Sequence, residues 1–235
     1  MLELSGLEHV AIIMDGNRRW AKKNNLPIKS GSKEGIRVLQ NVIDWSVEIG
    51  IKFLTVYVFS IENRSRTEIE ISELMALGSE SLADYWNEAQ ERNIKIRVWG
   101  KREYIPHKLQ VAIEKIQEET KSCTGLNLNL AIDYGGRQEI VDAFVAICND
   151  VLAGRVALKA LTCKLVPQYL YAKELPDPDL IIRTGGECRL SNFLTWQSVY
   201  SELVFLDVLW PDFKREDFFC AIEQFSKRCR RFGGD

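Results

Sequence analysis

The stretch His9–Lys23, HVAIIMDGNRRWAKK, sets how the rest of the chain is read. A mostly apolar run containing Val10, Ile12 and Ile13 passes without a break into Asp15, Gly16, Asn17, Arg18, Arg19 and Trp20. Apolar residues that do not alternate with polar ones describe a strand buried on both faces, the habit of parallel sheets covered by helices on each side. In such sheets ligands gather outside the carboxyl ends of the strands, and Asp15 stands at such an end. Gly16 lets a backbone come close to a ligand. Arg18 and Arg19 bring guanidinium groups that pair well with phosphate oxygens. An acid among phosphate-binding groups makes chemical sense if a divalent cation is shared, because Mg²⁺ is typically held by one or two carboxylates plus substrate phosphates. The other reading of Asp15 is a cap on a following helix, and spacing alone leaves both open.

The remainder of the chain repeats the pattern. Apolar, β-rich runs at 9–14, 52–59, 94–99, 126–132, 179–184 and 203–210 alternate with amphipathic segments near 33–49, 68–92, 105–121, 136–153, 164–172 and 214–230. This predicts an α/β fold, a single domain with a mostly parallel central sheet flanked by helices. The 235 residues, 46% of them hydrophobic, suffice for one full core. With 31 basic against 33 acidic residues the chain is not a globally basic nucleic-acid binder. Its six cysteines form no CxxC pair and its two histidines are scattered, so free thiols in a reducing compartment are expected. The N-terminal segment lacks a basic region followed by a long apolar run, and no stretch approaches the ~20 apolar residues of a membrane span. The expectation is a soluble, cytoplasmic protein that can still touch a membrane surface.

Two more strand ends carry polar groups. FSIENRSR, residues 59–66, brings Ser60, Ile61, Glu62, Asn63, Arg64 and Arg66 to the edge where Asp15 stands. IIRTGGECRLSNF, residues 181–193, ends a strand on Arg183 and follows it with two glycines, Arg189, Leu190 and Ser191, a second candidate anion site. Glu202 sits among apolar and aromatic residues and is either paired in the structure or a metal ligand. The chain has no GxxxxGK[ST] and no G-x-S-x-G, which argues against a P-loop and an α/β-hydrolase elbow. A haloacid-dehalogenase-like phosphatase would need a second aspartate where Asn17 stands.

Taken together, HVAIIMDGN-RRWA, FSIEN, YGGR, RTGGE-R-SNF-W, YSEL, DVLWPDF and the terminal RRFGG occur in one order from about His9 to Gly234. In them the chain resembles bacterial undecaprenyl diphosphate synthases, the cis-isoprenyl diphosphate synthase family. The resemblance implies one cis-prenyltransferase domain over residues 1–235, a homodimer, and an apolar tunnel beside the sheet, lined in part by the 52–59 strand and the 68–92 helix. It implies that an allylic diphosphate, usually farnesyl, sits on Asp15 through Trp20 near the 60–66 loop and Ser32. Isopentenyl diphosphate would sit on Arg183, Arg189, Leu190 and Ser191, completed by Arg231-Phe232-Gly233 of a partner. Mg²⁺ would be held by Asp15 and Glu202, and Asn63 would orient the reacting groups, an amide being a very poor base.

Several positions depart from the family pattern. Ser32 stands for the usual histidine, Ile28 for an arginine, Arg64 for a tryptophan, Arg18 for a frequent glycine and Val58 for a frequent alanine. Arg18 and Arg64 are expected to replace part of the polar surroundings lost at Ile28 and Ser32, and Val58 to shorten the product. The leading expectation is a long-chain Z-polyprenyl diphosphate, undecaprenyl diphosphate for a cell-wall lipid carrier, with peripheral membrane contact at product release. The alternatives are a short- or medium-chain synthase, a non-catalytic accessory subunit, which should lack the Asp-Gly-Asn loop, and a diphosphate sensor.

Overall fold

A computed structural model describes residues 6–228, 230 and 234, leaving aside the side chains of 86 and 87. Strand β1, His9–Ile13, lies between β2, Phe53–Ser60, and β5, Leu180–Arg183. β4, Asn127–Tyr134, and β3, Lys95–Trp99, continue the sheet beyond β2, and β6, Glu202–Phe205, closes the other side. The order is β3-β4-β2-β1-β5-β6, with every pair parallel.

Side chains alternate across the strands. Val10 and Ile12 of β1 and Leu54 and Val56 of β2 point into the larger core. That core is roofed by α2, Ile28–Glu48, α3, Glu68–Glu91, α4, His107–Glu119, and α6, Arg215–Ser226. Ala11, Ile13 and Tyr57 point the other way, into a smaller cluster with Tyr134, Phe193 and Leu194. The helix α5, Gly136–Leu152, follows β4. The strands read as unbroken apolar runs because both faces are covered.

Three expectations about elements need correction. The segment after Asp15 is itself a helix, α1, Asn17–Lys23, and α2 begins at Ile28 rather than near 33. Glycine weakens a helix interior, yet Gly31 lies in the first turn of α2. A Cβ at Gly31 would lie 2.2 Å from the Asn17 carbonyl oxygen, so that glycine is what lets α1 and α2 touch. The segment 164–172 holds only a 3₁₀ turn, Val166–Tyr169, with Pro167 inside it. The strand expected over 203–210 ends at Phe205, and residues 206–210 cross the sheet edge instead, bonding Gly185, Gly186 and Asp15. Among the described residues Cys123, Cys148, Cys163, Cys188 and Cys220 are free thiols. No helix among these residues is long and apolar enough to cross a membrane.

His9 illustrates how the core handles polarity. Its Nδ1 donates to the Pro176 carbonyl at 2.8 Å, so Nε2 accepts from the Thr55 hydroxyl at 2.7 Å. Burial lowers its pKa to about 4 from the ordinary 6.5. The unfolded chain binds a proton near pH 6.5 and the fold does not until about pH 4. Stability from this group is therefore whole above pH 6.5 and falls as the pH drops. Urea titrations should show a loss of about 2 kcal/mol from His9 between pH 6.5 and 5, and a His9→Asn variant should lack that part of the slope.

Candidate functional site

The carboxyl ends of β1, β2 and β5 open into a cavity of about 830 Å³. Asp15 anchors it. Its carbonyl accepts bonds from the Thr184 hydroxyl at 2.7 Å and the Trp210 N–H at 3.0 Å, which ties the β1 end to β5 and to the 206–210 crossing. Its carboxylate meets Arg183 Nη2 at 2.9 Å on one oxygen and Arg19 Nη2 at 3.1 Å on the other. The helix-capping reading of Asp15 is thereby excluded: Gly16 is the N-cap of α1, with no side-chain cap bond. Gly16 adopts φ 125° and lies against the Leu209 and Trp210 backbone.

Arg183 is nearly buried at the end of β5. Besides Asp15 it donates to the Arg189 carbonyl and, at 2.8 Å, to Ser191 Oγ, while its Nε–H is buried without a hydrogen-bond partner. Arg19 donates to the Gly185 carbonyl at 2.7 Å. On the β2 side the chain enters a 3₁₀ turn, Ile61–Ser65, capped by Ser60. Ser60 Oγ accepts the Asn63 N–H at 3.3 Å, and Asn63 Oδ1 accepts the Ser60 N–H at 3.2 Å. That bond occupies the amide oxygen and leaves the NH₂ as the group Asn63 can offer a ligand.

The cavity gathers Asp15, Gly16, Asn17, Arg18, Arg19, Ser32, Ser60, Glu62, Asn63, Arg66, Arg183 and Ser191 from three distant parts of the sequence. Arg18, Arg19, Lys22, Arg66 and Arg183 face two carboxylates, Asp15 and Glu62, so the site suits a polyanion. Burial lowers the Arg66 pKa, yet a guanidinium keeps its charge in proteins. Burial and the nearby Glu62 push the Tyr57 phenol up, so it stays a neutral donor. Glu70, at the start of α3, lies 3.5 Å from Arg18 and 3.3 Å from Arg66.

Other expected residues stand elsewhere. Trp20 donates to Asp212 at 2.7 Å, and Arg189 pairs with Glu187 on the surface. Leu190 packs into the smaller core cluster, and Ile61 lies beside Gly135. Arg64 holds Asp133 rather than lining the cavity. Glu202 pairs with Arg228 at 2.8 Å and opens β6 at the level of Leu180. The cavity lies beyond the Arg183–Phe205 level, three residues or about 10 Å further along the strands. Within one chain Asp15 and Glu202 therefore do not come together. The tail 231–233 lies outside the described residues. Among the described residues no group of three or more His, Cys, Asp or Glu is arranged for a metal.

Lys22 and Asn192 are site residues with no counterpart in the sequence analysis, whereas Tyr57 and Leu74 come from the strand and the helix expected to line the tunnel. Lys22 follows Arg18 by four residues, a helical spacing that becomes visible once α1 is recognised. Asn192 gives no such signal. It joins the site because its Nδ2 donates to Glu62 at 2.7 Å and its backbone sits at φ 65°.

Below the cavity lies a second, apolar pocket of about 120 Å³ between α2, α3 and the sheet. Val58 and Leu74 line both spaces. The β2–β4 register shifts here, so that Val58 is the extra residue on β2 and Asp133 the extra residue on β4. Such bulges re-aim side chains next to sites.

The family model described as "Putative undecaprenyl diphosphate synthase" matches residues 13–233. An isoprenyl transferase of Thermotoga maritima is 48% identical over 97% of both chains. A tritrans,polycis-undecaprenyl-diphosphate synthase (geranylgeranyl-diphosphate specific) of Pyrococcus furiosus is 46% identical over 96% of this chain and 86% of its own. Among solved structures, lavandulyl diphosphate synthase from Lavandula x intermedia, in complex with dimethylallyl diphosphate, superposes with a TM-score of 0.93 at 33% identity, over 96% of this chain and 98% of its own.

A Cβ at residue 16 would stand 2.9 Å from Leu209 Cα and from the Trp210 nitrogen, at a φ that disfavours any side chain. Gly16→Ala should cost about 1–3 kcal/mol, lowering Tm by roughly 3–10 °C. It should also weaken inorganic pyrophosphate binding in calorimetry, because Asp15 and Arg19 are held by the same turn.

Proposed function

The chain belongs to the undecaprenyl diphosphate synthase family of isoprenyl transferases, and on that premise we propose that it condenses isopentenyl diphosphate with an allylic diphosphate, farnesyl diphosphate first, into a Z-polyprenyl diphosphate. The observation that carries this reading is the junction at Val58 and Leu74, where a cationic cavity meets an apolar pocket. A prenyl diphosphate needs both, a charged head site joined to a hydrocarbon site.

The chemistry follows from the residues. Breaking the allylic C–O bond sends its electron pair to the diphosphate and leaves a cation spread over the prenyl group. Arg18, Arg19 and Arg66 stabilise the leaving anion in a site with fixed donors. The isopentenyl double bond attacks the allylic carbon, and a proton leaves the isopentenyl C2 to form the new double bond. Arg183 and Ser191 hold the second diphosphate, and the Asn63 NH₂ orients a diphosphate oxygen, itself a suitable proton acceptor.

Magnesium fits this reading through Asp15. One carboxylate, supplemented by phosphate oxygens and water, is a donor set that Mg²⁺ accepts, and the Asp15 carboxylate is 30% exposed at the cavity. When bound, the ion would add positive charge to the departing diphosphate. The proposal includes a homodimer, supported by the exposed apolar face of α5 at Val141, Phe144, Val145 and Leu152. It also includes a cytoplasmic location with membrane contact at product release.

Product length divides two readings. Undecaprenyl diphosphate is the family expectation. A short- or medium-chain product is favoured by Val58, whose bulk stands where the cavity meets the apolar pocket. That pocket, about 120 Å³ against the roughly 150 Å³ that holds one benzene, is too small for a farnesyl tail, so α2 and α3 must part for the primer as for any longer chain.

Purified protein given isopentenyl diphosphate, farnesyl diphosphate and Mg²⁺ should form a prenyl ladder, read by mass spectrometry, and Asp15→Ala should lower the rate at least a thousandfold. A silent wild type with farnesyl, geranyl and dimethylallyl primers overturns the enzyme reading. Val58→Ala should extend the final product by one or more isoprene units, and Val58→Phe should shorten it. An unchanged ladder in both would remove Val58 from length control.

A further inference from the structure

We propose that Arg64 and Asp133 form an internal clamp that sets the Ile61–Ser65 turn, and through it Asn63, for prenyl transfer; this rests on the reaction proposed above. Arg64 is thereby a positioning residue and not a ligand of the diphosphate.

Arg64 Nε and Nη2 donate to the two oxygens of Asp133, each at 2.7 Å. This parallel fork is the strongest and most directional pairing open to a guanidinium and a carboxylate. Asp133 is fully buried, so losing that partner would strand a carboxyl group away from water. Asp133 raises the Arg64 pKa, and the guanidinium lies 3.7 Å from the centroid of the Tyr104 ring.

The backbone is arranged to present this carboxylate. Phe59 pairs with Ile132 and Ser60 with Tyr134, which leaves Asp133 as the bulged residue, at φ 54°. Arg64 immediately follows Asn63, in a turn otherwise tied by the two Ser60–Asn63 bonds of 3.2 and 3.3 Å, by the Arg66 N–H on the Asn63 carbonyl at 3.0 Å, by the Ser65 hydroxyl on the Glu62 carbonyl at 2.8 Å and by Asn192 on the Glu62 carboxylate at 2.7 Å. The clamp thus pins one end of a five-residue turn and Ser60 pins the other. Neither Arg64 nor Asp133 lines the cavity, whereas Ser60, Glu62, Asn63 and Arg66 do. A small displacement of such a group costs turnover more than binding.

The test uses Asp133→Asn, which keeps the shape and one acceptor, together with Arg64→Met and the double variant. Asp133→Asn should lower kcat about tenfold and leave KM for both diphosphates within about twofold. The double variant should be no slower than Arg64→Met alone, because both changes remove one interaction. Hydrogen exchange should show lost protection of the 60–66 amides in Asp133→Asn, with β1 and β5 unchanged. A raised KM at constant kcat would mean that Arg64 holds substrate, and the proposal falls. Unchanged exchange at 60–66, or lost protection with normal kcat, also overturns it. If the wild type forms no product, the reaction reading fails, and exchange alone then decides the clamp. Should Arg64→Met fail to fold, Asp133→Asn carries the test.

Discussion

A guanidinium with almost no contact with water depends on partners inside the fold, and Arg183 gives its two terminal nitrogens to Asp15, Ser191 and the Arg189 carbonyl while its Nε–H stays unpaired. This one group joins the end of β1 to the end of β5 and fixes the loop that follows β5. The backbone of Asp15 is committed in the same way, through Thr184 and Trp210. Removing the Asp15 carboxylate would leave the buried Arg183 charge without its counter-ion, which is far costlier than the pair is stabilising. The site and the fold therefore share their fastening: the residues that could face an anion also hold the strand ends in place.

That sharing explains why charged groups crowd one edge of the sheet. Six parallel strands direct every carboxyl end to the same side, and the loops leaving β1, β2 and β5 have nowhere else to meet. Directly beneath, the strand interiors are apolar and the larger core begins. A polar cavity over an apolar pocket is thus a consequence of sheet geometry. The Val58 and Asp133 bulges refine it, one turning a side chain towards the junction and the other turning a carboxylate towards Arg64.

The arginines show how little residue type says about task. Arg18 and Arg66 flank Glu70 at the cavity, Arg19 braces the Asp15 turn, Arg64 is locked on Asp133, and Arg189 sits on the surface with Glu187. All looked equally suited to phosphate when read as letters beside strand ends. What separates them is the partner each finds after folding.

The sequence by itself determined the parallel α/β class, the strands, the ends of β1, β2 and β5, and the segments that supply the site. These follow from local composition, since unbroken apolar runs ending on Asp15, Ser60 and Arg183 can hardly be arranged otherwise. The family motifs rest on the same local strings. The tertiary structure decided what depends on close approach. It made α1 a helix and began α2 early, because Gly31 is a helix breaker in isolation and a contact surface only once α1 lies against it. It separated Glu202 from Asp15, because position along a strand sets which edge a residue serves, and the sequence does not reveal register. It brought Asn192 onto Glu62 and sent Arg64 to Asp133, pairings across long stretches of chain that no local pattern encodes.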